Sequence, residues 1–389
     1  MRPHMLAAAL LAGQAWMSAE TPGKVLVGVY HWGGAASKSM TGGVAHIAAL
    51  GGHAVRVTLS PTYYADYGLG RECYRDYSLA ALARQADVAA ALSYPGIELV
   101  MLTAYDGTGF GDCRTQRYVN PEFYTPENAA AMVREYSDLT LHLYQAYHDS
   151  GKAFIISNWE ADNTVYCGAA YAYATDPKFR AECDAAYPAL YNGNAGPWQT
   201  LEGLRRWLET RERGIADGRR RALAVGLAGI EVYQAPEISI VHALADAGLG
   251  SVLYDVLPGM GFEHVSYSSY ESINQADPGG ALARDIETIR AITSSPHVII
   301  GEMGFARSQW GSEVIGRLQA VISAAAASGV RLIIHWQLFD QDPQNDFGLY
   351  DSQDQVTEAA LYFQRVFAGA ISTDTSRPIR RLPGSGARP

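Results

Sequence analysis

Positive charge is scarce in this chain. Its 30 lysines and arginines stand against 40 aspartates and glutamates, a formal charge of −10 at pH 7. Nucleic acid, whose phosphates demand a basic face, is therefore disfavoured as a partner. Long apolar runs are missing as well: beyond the N-terminal stretch no segment has the length of a membrane span. The cysteines number only four, without C-x-x-C spacing or a nearby pair of histidines. That disfavours a metal site, and no cofactor is expected. No G-x-G-x-x-G follows the first apolar run, which argues against a dinucleotide-binding open sheet. The absence of H-x-H there argues against a metal-dependent barrel hydrolase. Charged residues make up only 18% of the chain and apolar ones 48%. A sizeable core is possible and global disorder is excluded.

The termini read differently from the body. Arg2 and His4 precede an apolar run from Met5 to Leu11 and small residues at Ser18-Ala19. This pattern resembles a secretory signal peptide over residues 1–19, so a secreted or periplasmic protein is expected. Four cysteines suit that compartment, and of three possible pairings the sequential one, Cys73–Cys113 with Cys167–Cys183, is expected. Residues 371–389, with Arg380-Arg381 and Pro383-Gly384-Ser385-Gly386, read as a disordered tail.

Between them, apolar runs alternate with amphipathic stretches. Strands are expected at 25–30, 54–59, 97–103, 154–157, 224–232, 264–270, 297–302 and 332–338. Helices are expected near 43–50, 79–92, 126–148, 201–219, 281–292, 313–327 and 357–367, with another inside 238–257. Eight strand–helix pairs without a linker predict an α/β fold, a single (β/α)8 TIM barrel over 24–370. The longest loop is expected at 161–197, after the fourth strand.

Two of the strands end alike. Phe154-Ile155-Ile156-Ser157-Asn158-Trp159-Glu160 and Val298-Ile299-Ile300-Gly301-Glu302 are charge-free runs that each deliver a glutamate at the C-terminal end. One such glutamate would most often meet an arginine or lysine. Two, on strands across a barrel from each other, point to the acid and the carboxylate that a glycosidic bond requires.

The order of these residues resembles the clan-A retaining glycoside hydrolases. In that clan the acid/base ends strand 4 and the nucleophile ends strand 7 of a (β/α)8 barrel. Ile300-Gly301-Glu302-Met303-Gly304 is similar to the G-E-x-G nucleophile strand of cellulase-like members. The resemblance implies Glu160 as acid/base, Glu302 as nucleophile, Arg56 beside the nucleophile and Trp336 under the sugar. One position departs from the pattern: Trp159 stands between Asn158 and Glu160, where the clan has Asn directly before the glutamate. Asn158 would reach a sugar hydroxyl only if the strand end bulges; alternatively Trp159 takes that place.

Arg56, in an otherwise apolar strand, requires a carboxylate partner, and the resemblance suggests Glu302. Tyr267 and Tyr270 can each offer a phenol to Glu302, with Tyr267 preferred. His31, Trp32, Asp106, Tyr233, Gln234 and His335 also fall at strand ends. Of these His31 and Asp106 join Arg56, Asn158, Trp159, Tyr267 and Trp336 as expected substrate-binding residues. A monomer acting on a carbohydrate is the expectation. Two other readings stay open: a carbohydrate-binding barrel without turnover, and a transglycosylase on the same fold.

Overall fold

The computed structural model of the protein describes residues 25–33, 39–67, 77–110, 116–342 and 344–369. The expected signal peptide, the expected C-terminal tail and the expected Cys73–Cys113 pair lie outside the described residues.

Among the described residues nine strands form one parallel sheet: β1 (Leu26–Tyr30), β2 (Ala54–Leu59), β3 (Leu99–Ala104), β4 (Ala153–Ser157), β5 (Glu231–Gln234), β6 (Glu237–Ile238), β7 (His264–Ser268), β8 (His297–Met303) and β9 (Leu332–His335). Their order is β5-β4-β3-β2-β1-β9-β8-β7-β6. The two end strands are halves of one chain segment. β5 pairs with β4, and after Ala235-Pro236 the same segment pairs with β7 as β6. Pro236 has no N–H to give, but its carbonyl accepts from the Ser266 amide at 2.8 Å. There is thus no rung between β5 and β6, and the chain itself spans the join of the (β/α)8 barrel.

Strand periodicity sorts the core into two shells. Val27, Val29, Val55, Val57, Val100, Leu102, Phe154 and Ile156 belong to the large cluster that includes the helices. Their neighbours Ala54, Leu99, Met101, Ala153, Ile155, Ile299, Leu332 and Ile334 form a separate cluster inside the barrel. Side chains two apart share a face, so Arg56 follows Ala54 inward and is completely buried.

Three expectations are corrected. The fifth strand does not begin at Ala224, because the helix Pro197–Ala224 runs to that residue. It stops where Leu227 N–H bonds back to the Ala222 carbonyl and Gly226 takes φ 80°, a left-handed turn suited to glycine. The region 161–197 is not a loop but carries the helices Ala161–Val165, Ala170–Thr175 and Pro177–Leu190. Asp176 caps the last of these through the Lys178 and Phe179 amides, with Pro177 in its first turn. Within 238–257 only a short helix, Ala243–Asp246, and a π-helical turn, Val252–Val256, form.

Cys167 and Cys183 are disulfide-bonded with Cα atoms 6.0 Å apart. The bridge fixes the Pro177–Leu190 helix to the turn that follows Glu160. Closing a loop of this size restricts the unfolded chain by about 3 kcal/mol. Among the described residues no helix is long and apolar enough to cross a membrane.

Candidate active site

At the C-terminal ends of the strands lies a cavity of about 650 Å3, lined by both Glu160 and Glu302. Aromatic rings make up much of its wall, among them Tyr30, Trp32, Tyr105, Trp159, Tyr270 and Trp336. Trp32 and Trp336 lie nearly parallel, 6.2 Å between centroids.

Each glutamate reaches the cavity through an irregular strand end. Along β8 the parity puts Ile300 outward with the helix-side core, so an unbroken strand would send Glu302 out as well. The registers of β7–β8 and β8–β9 both slip next to Glu302, and this bulge turns the carboxylate inward. Gly301 makes the turn possible, because a Cβ there would overlap Ser266 Oγ and the Glu237 carboxylate. Glu160 lies three residues past β4 at φ 22° and ψ 77°. This sparsely populated conformation costs on the order of 1–3 kcal/mol. It aims the carboxylate at Ser268, whose Oγ donates to Glu160 Oε1 at 2.6 Å, while Asn163 Nδ2 donates to Oε2. Ser268 is in turn the register partner of Glu302 on β8, so one serine links the two carboxylate positions.

The main partner of Arg56 is not Glu302. It is Glu237, a third carboxylate that the sequence reading missed. Arg56 Nη1 and Nη2 donate to Glu237 Oε2 and Oε1 at 2.6 and 2.8 Å, with both side chains fully buried. Glu302 Oε2 lies farther off, 3.6 Å from Nη1. Arg56 also donates to Thr103 Oγ1 and to the carbonyls of Gly301 and Asn158. Glu237 accepts further from Ser266 Oγ and from the Glu160 amide. Arg56 and Glu237 therefore form a floor that fixes the backbone leading into both cavity glutamates.

This arrangement sets the protonation of the pair. Burial raises Glu160 to about 7, with the Glu237 charge adding to the rise and Ser268 and Arg56 opposing it. Glu302 is raised well above the usual carboxylate range, first by burial and then by Glu160, with Arg56 pulling the other way. The pull of Arg56 on Glu302 is limited because the guanidinium is engaged by Glu237. Two buried carboxyls that repel each other titrate as a unit, and near neutral pH the pair retains a proton.

The other expected site residues separate into three groups. Trp159 and Trp336 line the cavity with the two glutamates. Arg56 and Asn158 lie beneath it, out of reach of a ligand. Asn158 Oδ1 accepts from Arg211 Nη2 and the Glu237 amide, and its Nδ2 donates to the Glu237 carbonyl. With Trp159 inserted, parity commits Asn158 to the protein, while the Trp159 indole stands 38% exposed at the rim. His31, Asp106 and Tyr267, also expected to bind substrate, do not line the cavity. His31 is buried, with Nε2 3.1 Å from the Ser39 carbonyl. Asp106 accepts from Trp207 Nε1, Tyr136 Oη and the Gly109 amide. Tyr267 faces the helices and donates to Asp285 at 2.7 Å, because on β7 it is Ser266 and Ser268 that turn inward. Tyr270, the alternative, lines the cavity, and its phenol is raised by burial and by the charge of Glu302.

No family profile and no curated sequence matches the chain. The fold is shared with solved glycoside hydrolases. A GH5_18 variant from Streptomyces cattleya in complex with Manb1-4GlcNAc aligns over 91% of this chain and 82% of its own, at 14% identity and TM-score 0.57. The exo-beta-1,4-mannosidase Op5Man5 from Opitutaceae bacterium strain TAV5 covers 89% of this chain, at 15% identity and TM-score 0.53. The alignment spans 59% of that enzyme. A rice beta-glucosidase mutant in covalent complex with Glc covers 84% of this chain and 87% of its own, at 11% identity and TM-score 0.55. Identities this low speak for the barrel.

Proposed function

We propose that the protein is a retaining glycoside hydrolase acting on β-linked sugars, with Glu302 as nucleophile and Glu160 as acid/base. The observation that carries the reading is the meeting of two buried, mutually repelling carboxyls in one aromatic-walled cavity at the C-terminal barrel face. The neighbours, among them an exo-beta-1,4-mannosidase and a beta-glucosidase, support the choice of β-glycosides.

In the first step the Glu302 carboxylate attacks the anomeric carbon while Glu160 gives its proton to the leaving oxygen. The product alcohol departs and a glycosyl ester forms on Glu302. Glu160, now a carboxylate, takes a proton from water as that water attacks the same carbon, releasing the sugar with retained configuration. Ser268 and Asn163 hydrogen-bond the charged form of Glu160, so they stabilise the carboxylate that the first step leaves behind. The Trp32, Trp336 and Tyr30 rings offer apolar faces to the C–H surface of a pyranose. The Cys167–Cys183 bridge next to Glu160 supports export to an oxidising compartment.

The test is a panel of aryl β-glycosides and β-linked oligosaccharides, with the anomer first released followed by proton NMR. The proposal expects the β-anomer first; first release of the α-anomer contradicts it.

A further inference from the structure

The opposite face of the barrel carries a second constellation that the hydrolytic reading does not use. β7 and β8 begin with His264 and His297, which are register partners, and Glu263 immediately precedes β7. One ligand atom from each of Glu263, His264 and His297 lies within 4.8 Å of the others. From His297 to Glu302 along β8 is about 17 Å at the usual strand rise, so this cluster is separate from the catalytic carboxyls.

His264 is the informative member. Its side chain is completely buried, and neither ring nitrogen has a hydrogen-bond partner among the described residues. A buried imidazole so placed gives up the hydrogen bonds that water would have made to both nitrogens. An apolar residue could fill a strand start next to Val265 without that loss. The ring lies between Tyr233 and His297, 4.7 and 5.1 Å between centroids. His297 and Glu263 are both partly exposed, with 4.0 Å between Nε2 and Oε1, so both have room to adjust.

We propose that Glu263, His264 and His297 form a binding site for a divalent transition metal ion of the zinc class, clamping the N-terminal ends of β7 and β8. Two imidazoles and one carboxylate suit Zn2+ or Co2+ and are poor ligands for Ca2+ or Mg2+. Tetrahedral ligand atoms about 2.0–2.1 Å from zinc lie roughly 3.3 Å apart, a contraction that the exposed Glu263 and half-buried His297 can make. The fourth position would face solvent.

The experiment uses untagged full-length protein, stripped with chelator and then titrated with Co2+, and separately loaded with Zn2+ for metal analysis. Tetrahedral Co2+ gives an intense visible band. The proposal expects one metal ion per chain. Glu263→Gln and His297→Gln should each weaken Co2+ binding by about tenfold or more, and the double variant should lose the band. Both residues are partly exposed, so the variants are expected to fold, which circular dichroism checks. Wild-type protein that binds Co2+ no more tightly than the double variant overturns the proposal. So does a stoichiometric site that both substitutions leave unchanged. Because the readout is metal binding, the result is independent of whether the carboxyls at the other face hydrolyse glycosides.

Discussion

Replacing Glu237 by glutamine keeps the shape of the barrel floor and removes one charge. Arg56 then has Glu302, 3.6 Å from Nη1, as its remaining carboxylate neighbour. At that distance, with an effective dielectric of about 20, two unit charges interact by about 5 kcal/mol. In the wild type most of this attraction is masked by Glu237 at 2.6 Å. Unmasking even a third of it would lower Glu302 by about one pH unit. Glu160 moves the same way, because the Glu237 charge is one of the causes of its rise. Both limbs of the bell-shaped profile of kcat/KM should therefore move to lower pH in Glu237→Gln. The acid limb reports ionisation of the nucleophile and the alkaline limb deprotonation of the acid. The assay is hydrolysis of an activated aryl β-glycoside between pH 3 and pH 9, with thermal melts alongside. Stability should fall by about 3–5 kcal/mol, since a buried arginine loses its bidentate partner. Limbs that stay in place, or move to higher pH, would refute the argument that Glu237 withholds Arg56 from Glu302.

Three further outcomes are expected. Glu160 is raised from its ordinary value to about 7, so its contribution to stability is complete below about pH 4.5 and is lost as pH rises towards 7. Glu160→Gln should consequently be more stable than wild type at pH 8, by at most about 3.4 kcal/mol, and melt at a higher temperature there, with the advantage vanishing at pH 4; an equal advantage at both pH values argues against it. Tyr270→Phe should reduce kcat with little loss of stability, whereas Tyr267→Phe should lower the melting temperature by leaving buried Asp285 with only His242 as a partner and spare kcat; the reverse pattern would restore Tyr267 to the site. Azide should rescue Glu302→Ala on an activated aryl glycoside as the inverted glycosyl azide and Glu160→Ala as the retained one, and exchanged configurations would reverse the two roles.

The barrel was legible where strands were plain. The runs before Glu160 and Glu302 carry no charge, so their burial and the direction in which they open could be read from composition alone. The fifth strand was hidden because Glu231 and Pro236 interrupt it, while Ala224-Val225-Gly226-Leu227 imitates a strand and is in fact a helix end and its turn. Pro236 also concealed Glu237, which reads as a loop residue. A signal for it did exist: a buried arginine on β2 needs a carboxylate, and the bulged Glu302 can satisfy that only in part. Parity would have settled Tyr267, since Ser266 and Ser268 on the same strand face the barrel interior. For His31 and Asp106, position at a strand end was not enough. Their side chains serve the packing of the following loops and helices, which no single-strand pattern reveals.

The central claim, that Glu302 is the nucleophile and forms a glycosyl ester, is tested most directly by trapping that ester. The enzyme is incubated with a 2-deoxy-2-fluoro β-glycoside bearing an activated leaving group, and the intact protein and its peptides are then analysed by mass spectrometry. The account predicts one added fluoroglycosyl mass per chain, carried by the peptide containing Glu302 and absent from Glu302→Ala. A label on Glu160, or none with a sugar whose unfluorinated glycoside is turned over, would contradict it.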